Sequence, residues 1–267
     1  MNKFLTIITS TYNVGNEFNQ TAKSIREQTD NDYQWIVIDG NSSENTKKII
    51  SQNMDVIDYY ISENDAGIYD AWNKACEQIQ GEWVIFLGAG DSFDNPDLVS
   101  HLKKLLNVNQ SKLFYGKVNI VDNNCNIICQ RGFVQNIGWY KGKPNMPCHQ
   151  GVIQHYSLFR GRKSFDPRYK IAGDTKFLME TNSLQDIIYL DYTISNMLEQ
   201  GISGRPESKL IIYKEAKMLE ADFKFKTNSL HKIGYYLRIH LIYILMCCMP
   251  LKLYHSLAKI RRKITGD

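Results

Sequence analysis

Three aspartates occupy positions from which a carboxylate can do chemistry. Asp39 ends the apolar run at residues 35–38 (WIVI), Asp91 follows the run at 83–87 (WVIFL) across Gly88, Ala89 and Gly90, and Asp174 follows Ala172 and Gly173 ahead of a helical pattern. Carboxylates so placed bind ligands, hold divalent cations through oxygen, or take a proton from a reacting hydroxyl. Each also has a plainer reading, since Asp commonly serves turns and helix starts. Asp174 is open to both, as an N-cap or as a side chain directed into a cleft. For Asp91 the cap reading is weakened, because Asn95, Pro96 and Asp97 already give the next helix its N-cap, its N1 proline and a first-turn acid. The small residues ahead of Asp91, Gly90 among them, let a ligand approach the backbone.

Other candidates stand around these acids. Thr11 and Tyr12 follow the first apolar run, and Tyr12 suits either stacking on a base or packing on a sheet edge. Asp70 and Lys74, four residues apart with Asn73 beside them, read locally as an ion pair on the polar face of a helix. His149 and Gln150 lie where a loop becomes a strand; a lone histidine is more often a hydrogen-bonded structural residue than a ligand or base. In residues 201–209 (GISGRPESK) paired glycines can approach a phosphate, whose charge Arg205 and Lys209 can bind.

The elements that must carry these residues alternate. Runs at 5–9, 35–38, 56–61 and 83–87 read as strands, and helical spacing follows each of them, from about 17 to 28, 44 to 51, 68 to 79 and after Asn95. This β-α-β-α-β-α-β-α order over the first 106 residues predicts an α/β fold, a mostly parallel, doubly wound sheet flanked by helices. Open sheets of this kind collect ligands beyond the carboxyl ends of their strands, so Thr11, Tyr12, Asp39 and Asp91 share one rim. Neither a GxGxxG fingerprint nor a GxxxxGK[ST] loop is present, which disfavours a dinucleotide-dependent dehydrogenase and a P-loop NTPase. Further on, 112–121 and 127–131 read as strands, 133–147 as a Gly- and Pro-containing flap, 175–182 as a helix and 187–197 as a strand. The expected division is 1–106, 107–205 and a helical extension at 206–267.

Charge is unevenly spread. The net charge of +4 hides 6 Lys+Arg against 16 Asp+Glu in residues 1–100, leaving 26 against 12 for the remainder. An anionic partner for the second half follows, whether nucleic acid, a phosphorylated small molecule or an anionic membrane surface. Six cysteines show no paired zinc spacing, which makes thiols in a reducing cytosol the expectation. No run reaches the ~20 apolar residues that span a bilayer. Residues 231–267 combine seven Lys+Arg and one acid with apolar and aromatic side chains, a composition suited to a helix lying in a membrane interface. Nucleic-acid binding is weakened because the basic excess gathers there without a nucleic-acid-binding motif.

Together TSTYN (9–13), VIDGNSSENT (37–46), SENDAGIYDAWNKA (62–75), FLGAGDSF (86–93), CHQG (148–151) and FDPRYKIAGDTKFL (165–178) resemble the family 2 inverting glycosyltransferases of GT-A fold. The resemblance is to the branch that builds bacterial cell-surface polysaccharides. It implies a Rossmann-like GT-A domain over 1–205 that moves a sugar from a nucleotide-diphosphate donor to an undecaprenyl-diphosphate-linked or other saccharide acceptor. By this likeness Thr11, Tyr12 and Asp39 hold base and ribose, Asp70, Asn73 and Gly90 line the donor site, and Asp91 contacts a divalent metal, Mn²⁺ or Mg²⁺. Asp174 becomes the general base, while His149 and Gln150 lie near the acceptor or diphosphate. The implied location is cytoplasmic, on the inner face of the plasma membrane, with no nucleic-acid partner and a homo-oligomer left open. One departure stands out: GAGD lacks the first acid of the usual metal motif. That leaves a sugar-nucleotide-binding protein without catalysis as the rival reading, against which the presence of Asp174 argues.

Overall fold

The computed structural model describes residues 3–106, 111–159, 164–199, 201 and 208–248. Arg205 and residues 249–267 lie outside the described residues. Strands β1 (Lys3–Thr11), β2 (Tyr33–Asp39), β3 (Tyr59–Ser62) and β4 (Gly81–Phe86) alternate with helices α1 (Phe18–Arg26), α2 (Glu44–Ser51), α3 (Ile68–Cys76) and α4 (Leu98–Leu106). These four strands pair in parallel in the order β3-β2-β1-β4, as the alternation requires. Parity along each strand assigns the core. Leu5, Ile7, Trp35, Val37, Trp83 and Ile85 face α1, α2 and α4, while Ile8, Ile36, Ile38, Val84 and Phe86 face α3. Burial on both faces explains why the runs look continuously apolar in sequence.

The second half departs from a parallel sheet. Strand β6 (Leu113–Val121) is followed by β7 (Ile127–Arg131), and β10 (Val152–His155) inserts antiparallel between β4 and β6. Strand β11 (Ile188–Leu198) pairs in parallel with the other edge of β6 and antiparallel with the two-residue β5 (Ser92–Phe93). Short connections such as the turn at residues 122–126 permit only antiparallel neighbours, whereas parallel ones need a long crossover. The segment expected as a flap forms a small hairpin, β8 (Gly138–Tyr140) with β9 (Lys143–Asn145). Helix α5 (Gly173–Glu180) precedes β11, and α6 (Ser208–Asp222) and α7 (Ser229–Cys248) follow it.

Helix α6 is tied to the loop ahead of α5. Glu215, almost fully buried, accepts hydrogen bonds from the backbone N–H of Lys170 at 2.6 Å, Ile171 at 3.1 Å and Ala172 at 2.7 Å. Asp222, near the end of the same helix, accepts from Lys176 Nζ at 2.8 Å and from the Tyr169 hydroxyl at 3.1 Å. Helix α7 packs on α6 through Tyr213 with Tyr235 and an ion pair of Lys232 with Glu220 at 2.9 Å.

Candidate active site

The parallel register brings the ends of three strands level. Thr11 is the Cα partner of Asp39, and Asp39 that of Ser62, so two hydroxyls flank one carboxylate. Asp39 is fully buried and accepts from Thr11 Oγ1 at 2.8 Å, Ser62 Oγ at 2.6 Å, the Ser42 amide at 3.0 Å and Ser42 Oγ. Burial opposes its ionisation, but the hydrogen bonds from Ser42, Ser62 and Thr11 outweigh it and hold the carboxyl below its usual range. A carboxylate offers about four acceptor sites, and here all are used. Asp39 therefore fastens the strand ends together, and a ligand meets it through, or in place of, a hydroxyl.

Tyr12 stands beside this knot and is 70% exposed. Gly40 lets the ring lie close: a Cβ there would sit 3.3 Å from Tyr12 Cδ2 and 2.7 Å from Asp65 Oδ2. Asn13 and Asn41 take left-handed backbone conformations at φ 52° and 56°, a region in which Asn is favoured. The Asn13 amide donates to Ser42 Oγ at 2.8 Å, and Asn13 Oδ1 accepts from the Ser43 amide at 3.0 Å. The rim around Tyr12 is thus a closed network with one exposed aromatic face.

At the end of β4 the chain turns Asp91 inward. Its oxygens accept from the amides of Leu198 at 3.0 Å and Gly88 at 3.2 Å, with a further side-chain hydrogen bond from Gln150. Burial pushes this carboxyl up to about 6, against the lowering effect of those bonds. Gly90 has φ +101° and packs under Glu17 and Leu198, so its backbone serves the turn that aims Asp91. Thr21 Oγ1 fixes the same turn, accepting from the Gly90 amide at 2.8 Å and donating to Asp91 O at 2.6 Å.

Asp174 lies at the first turn of α5, half-buried. Its Oδ1 accepts from the Thr175 amide at 2.6 Å and from the Tyr69 hydroxyl at 3.4 Å, whereas Oδ2 has no hydrogen-bond partner among the described residues. Of the two expectations for this side chain the N-cap fails, because Ala172 holds that position and Asp174 lies inside the first turn, while an acceptor open to a cleft agrees with the geometry. A cavity of about 240 Å³ opens at Asp174 and Thr175, walled by Pro144, Ile171, Ala172, Ile212, Ala216 and Tyr235. His149 is buried against Trp72 at 5.1 Å between ring centroids, and its Nε2 lies 3.4 Å from Gln154 Nε2. Burial lowers its pKa, with the charge of Asp174 opposing, which favours the neutral ring. Cys148 joins the two acids: its Sγ meets Gln150 Oε1 at 3.3 Å and Met197 Sδ at 3.8 Å, and it feels the charges of both Asp91 and Asp174.

The remaining candidates are otherwise engaged. Asp70 pairs with Lys74 at 3.6 Å and accepts from the Ala66 amide at 3.1 Å. Asn73 spends both ends of its amide on the backbone of Phe165, at 2.8 Å each, which fixes the loop leading to Asp174. Sequence reasoning missed Ser42, Ser62, Tyr69 and Glu215. Ser42 carried a signal, lying three residues after Asp39 in a turn, while Ser62 and Glu215 depend on strand register and on a contact between distant segments.

A divalent metal does not fit the protein groups present. Asp91 is one buried carboxylate already satisfied by amides, the positions ahead of it are Gly88, Ala89 and Gly90, and no group of three metal-ligating side chains occurs among the described residues. Such an ion wants six or more oxygens.

Comparison with known proteins adds three findings. The sequence model described as Glycosyl transferase family 2 matches residues 6–169, more than half of the chain. A PGL/p-HBAD biosynthesis glycosyltransferase of Mycobacterium bovis is 31% identical over 116 residues, 42% of this chain and 45% of that protein. The putative teichuronic acid biosynthesis glycosyltransferase TuaG of Bacillus subtilis is 28% identical over 106 residues, 38% of this chain and 42% of that protein. The chain thus spans less than half the length of these curated relatives. Among solved structures, S. aureus TarS 1–349 in complex with UDP-GlcNAc superposes with a TM-score of 0.60 at 15% identity, covering 91% of this chain and 72% of that one. The mannosyltransferase PcManGT of Pyrobaculum calidifontis, in complex with GDP-Man and Mn²⁺, gives 0.57 at 15% identity over 97% and 79%. These likenesses show the GT-A fold.

Proposed function

Because the chain belongs to glycosyltransferase family 2, we propose that it transfers a sugar from a nucleotide-diphosphate donor to a hydroxyl of a lipid-linked saccharide in the synthesis of a bacterial surface polysaccharide. TuaG, named for teichuronic acid biosynthesis, supports the polysaccharide setting, and the UDP-GlcNAc and GDP-Man held by the structural neighbours support a sugar-nucleotide donor. In this reading Tyr12 stacks on the base and the Asp39 network shapes the ribose pocket. The acceptor enters beside Asp174.

One observation carries the reading. Of Asp39, Asp91 and Asp174, only Asp174 keeps an oxygen without a hydrogen bond among the described residues, and it opens on a cavity. Such a group can take the proton of an acceptor hydroxyl as that oxygen attacks the anomeric carbon. Single displacement on the face opposite the leaving nucleoside diphosphate inverts the configuration. Tyr69, whose hydroxyl also donates to Ile171 O, and Thr175 orient the carboxylate. A divalent ion, Mn²⁺ or Mg²⁺, would enter this proposal only as an ion held by the oxygens of the donor diphosphate, and no step depends on it. Asp174→Asn is expected to abolish turnover while donor affinity stays within twofold; unchanged turnover refutes the base.

Location at an anionic membrane surface on the cytoplasmic side belongs to the same proposal. Leu230, Ile233, Leu237, Leu241 and Ile244 form an exposed stripe at helical spacing on α7, opposite the inward Tyr235 and Ile239. No described helix is long and apolar enough to cross a membrane. An apolar stripe followed by a basic segment suits an interfacial helix. Co-sedimentation with phosphatidylglycerol vesicles is expected for the full chain and lost on truncation at Asn228; equal binding by both contradicts it.

A further inference from the structure

Glycosyl transfer needs a positive charge where the diphosphate departs, and GAGD assembles no set of carboxylates to recruit a metal there. A protein cation is the alternative. Among the described arginines, Arg26 and Arg168 are each held by a carboxylate at 2.7 Å, and Arg238 lies on α7. Lys117, on β6 beside the site, is held by Asp191 at 2.6 Å. Arg131 is exposed, and its side chain has neither a hydrogen bond nor an ion pair among the described residues.

Its place in the sheet is specific. β10 pairs with residues 113–115 of β6 and β7 with residues 118–121 along the same edge, which leaves a gap between them. The turn at residues 148–151 fills that gap: a Cβ on Gly151 would lie 2.7 Å from Val118 Cγ2 and 2.9 Å from Gly116 O. Arg131 is the last residue of β7 and the Cα partner of Val118. Residues directly opposite in an antiparallel pair project to the same face, so Arg131 leaves the sheet beside the turn that carries Cys148, His149 and Gln150. The electrostatics agree. Burial raises the Cys148 thiol to about 11, the charge of Arg131 lowers it, and Asp91 and Asp174 act on the same sulfur with the opposite sign.

We propose that Arg131 is the phosphate-binding cation of this site, its guanidinium gripping the diphosphate of the nucleotide-sugar donor and stabilising the charge that gathers as the nucleoside diphosphate leaves. The inference rests on the donor site proposed above. In the step, the bond between the anomeric carbon and the β-phosphate oxygen breaks with its electron pair going to that oxygen. The acceptor oxygen bonds to the carbon, its proton passes to Asp174, and Arg131 remains protonated throughout. Planar bidentate contact with phosphate is what arginine does best.

Calorimetric titration with UDP, UMP, GDP and GMP, in EDTA and in Mn²⁺, tests it on wild type, Arg131→Ala and Arg131→Lys. Arg131 makes no contact that folding needs, so all three should melt together. In EDTA the wild type should prefer the diphosphate of its base to the monophosphate. Arg131→Ala should weaken the diphosphate about 10- to 100-fold and the monophosphate by less than threefold, as loss of a charge-assisted contact requires, with Arg131→Lys between. Equal diphosphate affinity in wild type and Arg131→Ala, or diphosphate binding by wild type only with Mn²⁺, overturns the proposal. Monophosphate binding that persists in either case keeps the donor site standing; failure of every nucleotide to bind removes both.

Discussion

Replacing Glu215 with alanine tests how the described C-terminal helices reach the chemistry. Glu215 is 3% exposed and receives three backbone amides, those of Lys170, Ile171 and Ala172, immediately before α5 delivers Asp174. That helix has no side-chain cap of its own, so a carboxylate from α6 supplies both the acceptor and the negative charge its N-terminus favours. Truncation strands three buried donors at about 1–3 kcal/mol each. The neighbouring 240 Å³ cavity, which Ala216 lines, gives water a route to one of them. The expected loss is about 3–5 kcal/mol in urea unfolding. Glu215→Gln places one oxygen where Oε2 accepts from Ile171 and Ala172 but turns an NH₂ toward Lys170, so about 1–3 kcal/mol should be lost. Turnover should fall in both variants more than donor affinity does, because the loop presents the base rather than the nucleotide. A stability change below about 1 kcal/mol for the alanine variant would refute the reasoning.

Two carboxylates give opposite pH dependences. Asp91 is raised in the folded state from 3.8 to about 6, so its contribution is fully present below about pH 4 and is lost as pH climbs through 6. Two pKa units amount to about 3 kcal/mol, and urea unfolding of wild type and Asp91→Asn from pH 4 to 7 should show the variant gaining by up to that amount; a flat difference contradicts the buried, raised carboxyl. Asp39 is shifted the other way, so its contribution is present above its unfolded value near pH 4 and is lost as acid protonates it. Asp39→Ala leaves the hydroxyls of Thr11, Ser42 and Ser62 and one amide without an acceptor, and about 3 kcal/mol or more should go at pH 7.

The first half of the fold was legible because its signals are local. Apolar runs bounded by polar turns marked β1, β2 and β4, and the helical spacing expected from 44 to 51 coincides with α2. The third strand begins at Tyr59 rather than at residue 56 because Val56 belongs to the turn after α2, where its amide donates to Asn53 O. The mixed pairing of β6, β7, β10 and β11 was hidden, since strand direction depends on connections that run between distant segments. The site was legible in its acids and opaque in what the acids do. Asp39 and Asp91 stand at strand ends as expected, yet hydroxyls in register saturate the one, and an amide from a strand a hundred residues away, with the Gly88 amide and Gln150, saturates the other. Asn73, with alternatives suggested by the family likeness, binds the backbone of Phe165 instead of facing open space. Glu215 could not be found from sequence, because nothing in its neighbourhood marks a helix residue that caps another helix.

The most direct test of the central claim, that the rim of β1 and β2 is a nucleotide-sugar donor site, is titration of UDP, GDP, dTDP and CDP into wild type and Tyr12→Ala. Tyr12 is 70% exposed, so its removal should leave the melting temperature unchanged. The account predicts saturable binding of one base class, weakened about 5- to 150-fold by loss of a stacking contact worth about 1–3 kcal/mol. No binding by any of the four, or binding indifferent to Tyr12, would contradict it.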